Sequence, residues 1–202
     1  MHNDKETNQL LTNEALRCRL AHEAFIMILE KEISNHLWRK SVAWILIQDR
    51  YVAWISHLYE FLKACYAKEM STHIDEIDEE ICKRHGVKKR DAYKFTDSRI
   101  DEYGIQAIES TGRHNLDREI VFSKGFGESM RKIRNQYYAH LSSEQIKLDW
   151  ITRFSEKHYY TAFCCYKGNT LHFANFDKIP KSNIETIKRL REKILSIPDN
   201  RE

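Results

Sequence analysis

Apolar residues recur at three- and four-residue intervals over positions 12–70, and that period predicts two long helices. The first is expected from Thr12 or Asn13, either of which can cap a helix N-terminus, to about Asn35. Its apolar face would be Leu16, Leu20, Ala24, Met27 and Ile28, with Phe25, Leu29 and Ile33 in a second row beside it. A face that wide suits packing against more than one neighbour. The second helix, expected over 38–70, is the longest and most apolar. One stripe carries Ile47, Tyr51, Ile55, Leu58, Leu62 and Cys65, another Val42, Ile45, Leu46 and Val52, and Trp44 and Trp54 enlarge both. Such stripes make a bundle core, or, for one of them, the seam of a homodimer, because obligate interfaces resemble a domain core cut in half. His57 and Glu60 stand about one turn apart on this helix, the spacing of a solvated pair that could also contribute to a site.

Beyond residue 70 the pattern changes. The acidic run at 73–81, carrying Ile74, Ile77 and Ile81, predicts a short amphipathic helix that Gly86 ends. The basic cluster Lys83, Arg84, Lys88, Lys89 and Arg90 suits either a solvated face or contact with a phosphate backbone. The polar stretch 91–115 reads as an excursion with short helical pieces. Gly125 and Gly127 then lead into a helix whose buried row would be Met130, Ile133, Tyr137 and Leu141, with Arg131, Arg134 and Tyr138 on a neighbouring face. After it, 159–166 (YYTAFCCY) and 170–176 (TLHFANF) are aromatic and β-compatible around Lys167, Gly168 and Asn169, which predicts a β-hairpin. Pro180, Ser182 and Asn183 open a final helix through Ile184, Ile187, Leu190, Ile194 and Leu195, ending before Pro198. The chain therefore reads as mainly α, an antiparallel helical bundle in a single domain, 1–202. Core helices fall at about 12–70 and 126–142, a charged excursion at 71–118, and the hairpin and terminal helix at 159–197.

Composition narrows the partners. With 2 Pro and 6 Gly in 202 residues, few points must turn, which favours long helices. A net charge of +3 permits a nucleic-acid partner without requiring one. The five cysteines include the adjacent pair Cys164 and Cys165 and show no CxxC spacing, so reduced, mostly buried thiols are expected in place of a disulfide framework or a zinc site. His158, His172, Cys164 and Cys165 would fall on mixed faces of the predicted strands, so no metal is expected, nor any cofactor. The polar N-terminus lacks the apolar segment of a secretory signal. The most apolar run, 42–55, is broken by Gln48, Asp49 and Arg50 and is too short and charged to span a bilayer. The expectation is a cytoplasmic protein with no membrane partner.

Candidate chemistry concentrates at 128–141, ESMRKIRNQYYAHL, where Arg134 and Asn135 precede His140. On a regular helix Arg134 and His140 would lie about 9 Å apart along the axis and about 120° apart around it. They share a height but not a face. Either the last turn opens near His140, or a second chain completes the set across a cleft. RNA is cleaved without a metal when a base removes the 2′-hydroxyl proton, the oxyanion attacks phosphorus, and cations stabilise the charge on the phosphoryl oxygens. His140 suits the proton transfer, since an unperturbed imidazole titrates near ~6.5. Arg134 suits the phosphate, which its permanently charged planar fork binds bidentately. Asn135 could orient the histidine or the phosphate, Arg131 could hold RNA, and Tyr138 could stack on a base. Each has a plainer role too. Arg134 could pair with an acid of a neighbouring helix, the helix dipole favours a histidine at His140, Asn135 could cap, and Tyr137 suits the core.

The run Arg134-Asn135-Gln136-Tyr137-Tyr138-Ala139-His140 resembles the HEPN superfamily, marked by an arginine, commonly a polar residue after it, and a histidine after four to six intervening positions. Here five intervene. The continuation YYAHL and the long apolar helix upstream are similar to the branch associated with bacterial abortive-infection proteins. The resemblance implies a HEPN-like all-α bundle that dimerises with two motif helices facing a shared cleft. It also implies metal-independent endoribonuclease activity of toxin or phage-defence type, with Arg134, Asn135 and His140 as catalytic residues. RNA and a second copy of the chain would be the partners, with an antitoxin or nucleotidyltransferase as a possible restraining partner. The alternative is a non-catalytic helical module that binds RNA or a protein through the same cleft.

Overall fold

The computed structural model describes residues 4–34, 40–112, 122–138 and 148–170. Among them six helices follow one another: α1 (Asp4–Ser34), α2 (Lys40–Glu69), α3 (Ile77–His85) after a 3-10 turn at Ile74–Glu76, α4 (Lys89–Gly112), α5 (Phe126–Tyr138) and α6 (Leu148–Cys165), which runs into a π-helical turn at Tyr166–Thr170. No strand occurs among the described residues.

The double stripe of the second helix makes α2 the centre of this bundle. Trp54, Ile55, Leu58, Phe61 and Leu62 are fully enclosed, and Tyr51, Val52, Tyr59, Ala64 and Ala67 nearly so. A helix apolar around most of its circumference needs neighbours all round, and α1, α4, α5 and α6 supply them. From Tyr51 onward its apolar surface is therefore covered by the chain itself. α1 runs antiparallel to it: Lys68 reaches Asn8 at one end (2.8 Å), and Phe25 meets the rings of Tyr51 and Trp54 at the other.

α1 turns a different face inward from the one its largest apolar residues suggest. It begins at Asp4, ahead of Thr12, and buries Leu11, Ala15, Cys18, His22 and Phe25, while Leu20 and Met27 stay 55% and 56% exposed. Ala15 and Cys18 are small enough to let α2 approach closely. The His22 ring stacks on Tyr166 at 4.2 Å and meets the edge of Trp54 at 4.7 Å.

The stretch expected to hold short helical pieces is one 24-residue helix, α4. Its inward row, Ala92, Thr96, Ile100, Tyr103, Ala107, has helical period but little bulk, and Gly104 marks a close crossing. A Cβ there would meet Phe122 at 2.8 Å and Thr161 at 2.9 Å. Ahead of α4, Ile77 and Ile81 anchor α3 in a satellite cluster with Met70 and Ala92, and Gly86, at φ 64°, ends α3 as its position predicts.

The predicted β-hairpin is corrected by α6. Its first strand, 159–166, continues the helix begun at Leu148, and the turn residues Lys167, Gly168 and Asn169 fall in the π-helical turn. The aromatic run that suits a strand also fits a helical stripe once Ile151, Phe154, His158, Ala162 and Cys165 precede or interleave with it, all buried against α2, α4 and α5. Packing decided between the two periods. The second strand and the terminal helix lie outside the described residues. Among the described residues no helix is long and apolar enough to cross a membrane.

Candidate nucleic-acid interface

α5 starts where α4 caps it. The carboxylate of Asp101 accepts from the backbone N–H of Gly127 (2.7 Å) and of Gly125 (3.1 Å), satisfying donors that a helix N-terminus leaves open and placing negative charge at the positive end of the dipole. Gly127 is needed for this approach: a Cβ there would sit 2.2 Å from the Asp97 carbonyl oxygen. Met130 and Ile133 fill the core below, as the sequence predicts. With its start and inner face fixed, α5 presents Arg131, Arg134 and Asn135 to two different neighbours.

Arg131 turns to α4. Its Nε donates to Asp97 Oδ2 at 2.8 Å, its guanidinium lies 4.1 Å over the Tyr93 ring, and its side chain is 19% exposed. Tyr59 approaches the other carboxylate oxygen of Asp97 at 3.5 Å. Burial raises the Asp97 pKa above the usual carboxylate value, against the opposing pull of Arg131, while burial and Asp97 together push the Tyr59 phenol up. The cavity of about 320 Å³ beside this pair also holds Asp101 and Glu128. A phosphate entering there meets three carboxylates against Arg131 and Lys94, each already paired, Arg131 with Asp97 and Lys94 with Asp91, so Arg131 acts in this geometry as a structural cation joining α5 to α4.

Arg134 turns to α2. Nε donates to Glu60 Oε1 at 2.6 Å and Nη1 to Asn135 Oδ1 at 3.1 Å, with the arginine side chain 35% exposed and Glu60 16%. Glu60 therefore fixes the guanidinium, and does not form the solvated pair with His57 that its spacing suggested. His57 instead faces Glu14 of α1, Nδ1 to Oε2 at 3.9 Å. Tyr138 closes α5; its side chain and the whole of His140 lie outside the described residues. Of the predicted set, Arg134 and Asn135 are brought into contact, and Arg131 is carried away to a separate ion pair. Glu60, Asp97 and Tyr93 complete the arrangement. Their long sequence separations from α5 left them invisible as partners, although Glu60 drew notice as a polar position on an apolar helix.

Among the described residues no three His, Cys, Asp or Glu side chains are grouped to hold a metal ion. No family model matches the chain, and neither a curated protein nor a solved structure is significantly similar to it.

Proposed function

We propose that the chain is a HEPN-like, metal-independent endoribonuclease in which Arg134 stabilises the phosphoryl charge and His140 moves the proton. The observation that supports this reading is the clamp on Arg134. A guanidinium held by Glu60 on one side and Asn135 on the other loses little conformational entropy when it takes a phosphate oxygen, and preorganised charge is what such a transition state uses. Asn135 then serves as a positioning residue for Arg134, where the sequence suggested that it orients the histidine or the phosphate. RNA is the substrate class, a homodimer the working form, the cytoplasm the compartment, and toxin or phage defence the setting, with an antitoxin or nucleotidyltransferase as restraining partner.

The Glu60 contact also favours a second reading. A carboxylate at 2.6 Å offsets the charge a phosphate would seek, and the bond is equally what an interhelical strut requires. On that reading the protein is a non-catalytic helical module that binds RNA or a protein partner.

One assay separates them. Purified protein is incubated with RNA in excess chelator, comparing wild type with Arg134→Ala and His140→Ala and checking each fold by circular dichroism. The ribonuclease reading expects cleavage by wild type and at least ~100-fold slower cleavage by both variants. No cleavage by wild type, or unimpaired cleavage by folded variants, leaves the non-catalytic module.

A further inference from the structure

The opposite flank of α5 carries a second polar site. Between α5 and α6 lies a cavity of about 200 Å³ rimmed by Lys132, Arg153 and Lys157, with Ser129 at its side and Phe154 and His158 at its floor. All three cationic residues are exposed. Lys132 is shared with Glu128 at 2.7 Å, and among the described residues Lys157 approaches only the Lys124 carbonyl, at 3.5 Å. Arg153 has no acidic partner among the described residues.

The floor is the unusual part. His158 is 1% exposed, wedged between Phe126 and Phe154 with ring centroids at 5.7 Å and 5.2 Å, and neither ring nitrogen has a protein hydrogen-bond partner among the described residues. A buried imidazole without a partner is costly, and a core position could have held phenylalanine at no such cost. Burial, followed by the charge of Lys157, lowers its pKa to about 4 against a smaller opposing effect of Asp101, so the ring is neutral at pH 7 and carries one N–H donor. The carboxylate of Asp101 is already occupied by the Gly125 and Gly127 amides. Three cations over one dry donor make an environment for a compact anion with several acceptor oxygens.

We infer that this pocket binds a phosphate group, with Lys132, Arg153 and Lys157 supplying charge and Ser129 and His158 supplying hydrogen bonds. Residues 129, 132 and 133 lie on the side of α5 away from Arg134, so this pocket does not use that guanidinium. The phosphate belongs either to a free phosphomonoester or to an RNA backbone.

The test follows the His158 ring nitrogens by NMR in the full-length protein, at constant ionic strength with chloride as control. Three probes are titrated: inorganic phosphate, adenosine 5′-monophosphate, and a 2′-O-methylated oligoribonucleotide lacking a terminal phosphate. Saturable movement of the ring signals with the first two assigns a phosphomonoester; movement with the oligonucleotide alone assigns backbone phosphate. In either case Arg153→Gln and Lys157→Gln, both at exposed positions, should each weaken binding by about tenfold, and His158→Phe, which removes the NMR probe and is read by titration calorimetry, should abolish tight binding while keeping an aromatic ring in place. If no probe moves the His158 signals beyond the chloride control, or if the Arg153 and Lys157 variants bind as wild type does, the pocket is not a phosphate site. Should His158→Phe fail to fold, the two surface variants decide the matter alone.

Discussion

Arg134 Nε and Glu60 Oε1 stand 2.6 Å apart across 74 residues of sequence, tying α5 to the middle of the central helix. With the two side chains 35% and 16% exposed, the pair sits between a surface contact and a buried one. A double-mutant cycle of Glu60→Gln and Arg134→Met should therefore give a coupling of about 1–2 kcal/mol in urea unfolding, above the ~0–1 kcal/mol usual for exposed pairs. If Arg134 also serves cleavage, Glu60→Gln should slow it by letting the guanidinium wander, while leaving the chelator insensitivity unchanged. A coupling near zero would show that the clamp does not hold the arginine.

The Arg131–Asp97 pair should respond asymmetrically. Burial already raises the Asp97 pKa, so its ionised form is held at a cost that Arg131 offsets. Removing the cation by Arg131→Met leaves a buried carboxylate with only the distant Tyr59 hydroxyl, and should cost about 3 kcal/mol at pH 7. Asp97→Asn removes the costly charge but keeps an acceptor for Arg131, whose guanidinium retains the Tyr93 ring and partial exposure, and should cost about 1 kcal/mol. The signs also differ with pH. In Arg131→Met, lowering the pH protonates Asp97 more readily in the folded than in the unfolded chain, so part of the lost stability should return. Chemical denaturation at pH 7 and pH 5 reads both effects, and equal losses for the two variants would contradict the account.

Two glycines separate backbone approach from backbone conformation. At Gly127 any Cβ collides with the Asp97 main chain at 2.2 Å, and no side-chain rearrangement relieves that. Gly127→Ala should destabilise by at least about 3 kcal/mol, because α4 and α5 must separate and α5 then loses the cap that Asp101 supplies. At Gly86 nothing lies within 4 Å and only φ +64° is demanded. Gly86→Ala should cost about 1 kcal/mol. Thermal melts of the pair should rank them in that order by a wide margin.

What the sequence made legible follows from bulk. α2 was readable because its apolar residues are large and nearly continuous, and α5 because Met130 and Ile133 leave one face for the charges. α4 was not, since three of the five residues in its inward row, Ala92, Thr96 and Ala107, are small and only Ile100 and Tyr103 are large, and neighbours approach closely at Gly104. α1 offered two rows of similar period, and of the richer one Leu20 and Met27 are left outside while Leu16 packs against the edge of the core. For 159–166 the β-prone composition outweighed a helical period that only the packing of His158 and Ala162 makes visible. Arg134 and Asn135 could be singled out, yet Glu60 as the clamp and Asp97 as the rival for Arg131 required the tertiary fold, because no local spacing links α5 to α2 or α4.

Acid should unfold the protein through two histidines that are neutral inside it. Burial lowers both His22 and His158 to about 4, with Lys167 adding to the first and Lys157 to the second, while Glu23 and Asp101 oppose weakly. In the unfolded chain each titrates near ~6.5. Between those values the unfolded state binds more protons, so stability is fully present above about pH 6.5 and falls as the pH drops toward 4, by about 2–3 kcal/mol for each ring. Asp97, with its raised pKa, works in the opposite direction over the lower part of that range, but it is one group against two. Urea unfolding from pH 7.5 to 4.5 should therefore show a decline of several kcal/mol in wild type. His22→Phe should flatten about half of it, since the ring packs on Trp54 and Tyr166 through aromatic contact that phenylalanine preserves. A wild-type stability that is level across this range, or a His22→Phe profile parallel to wild type, would show that these rings are not the acid-sensitive groups of the core.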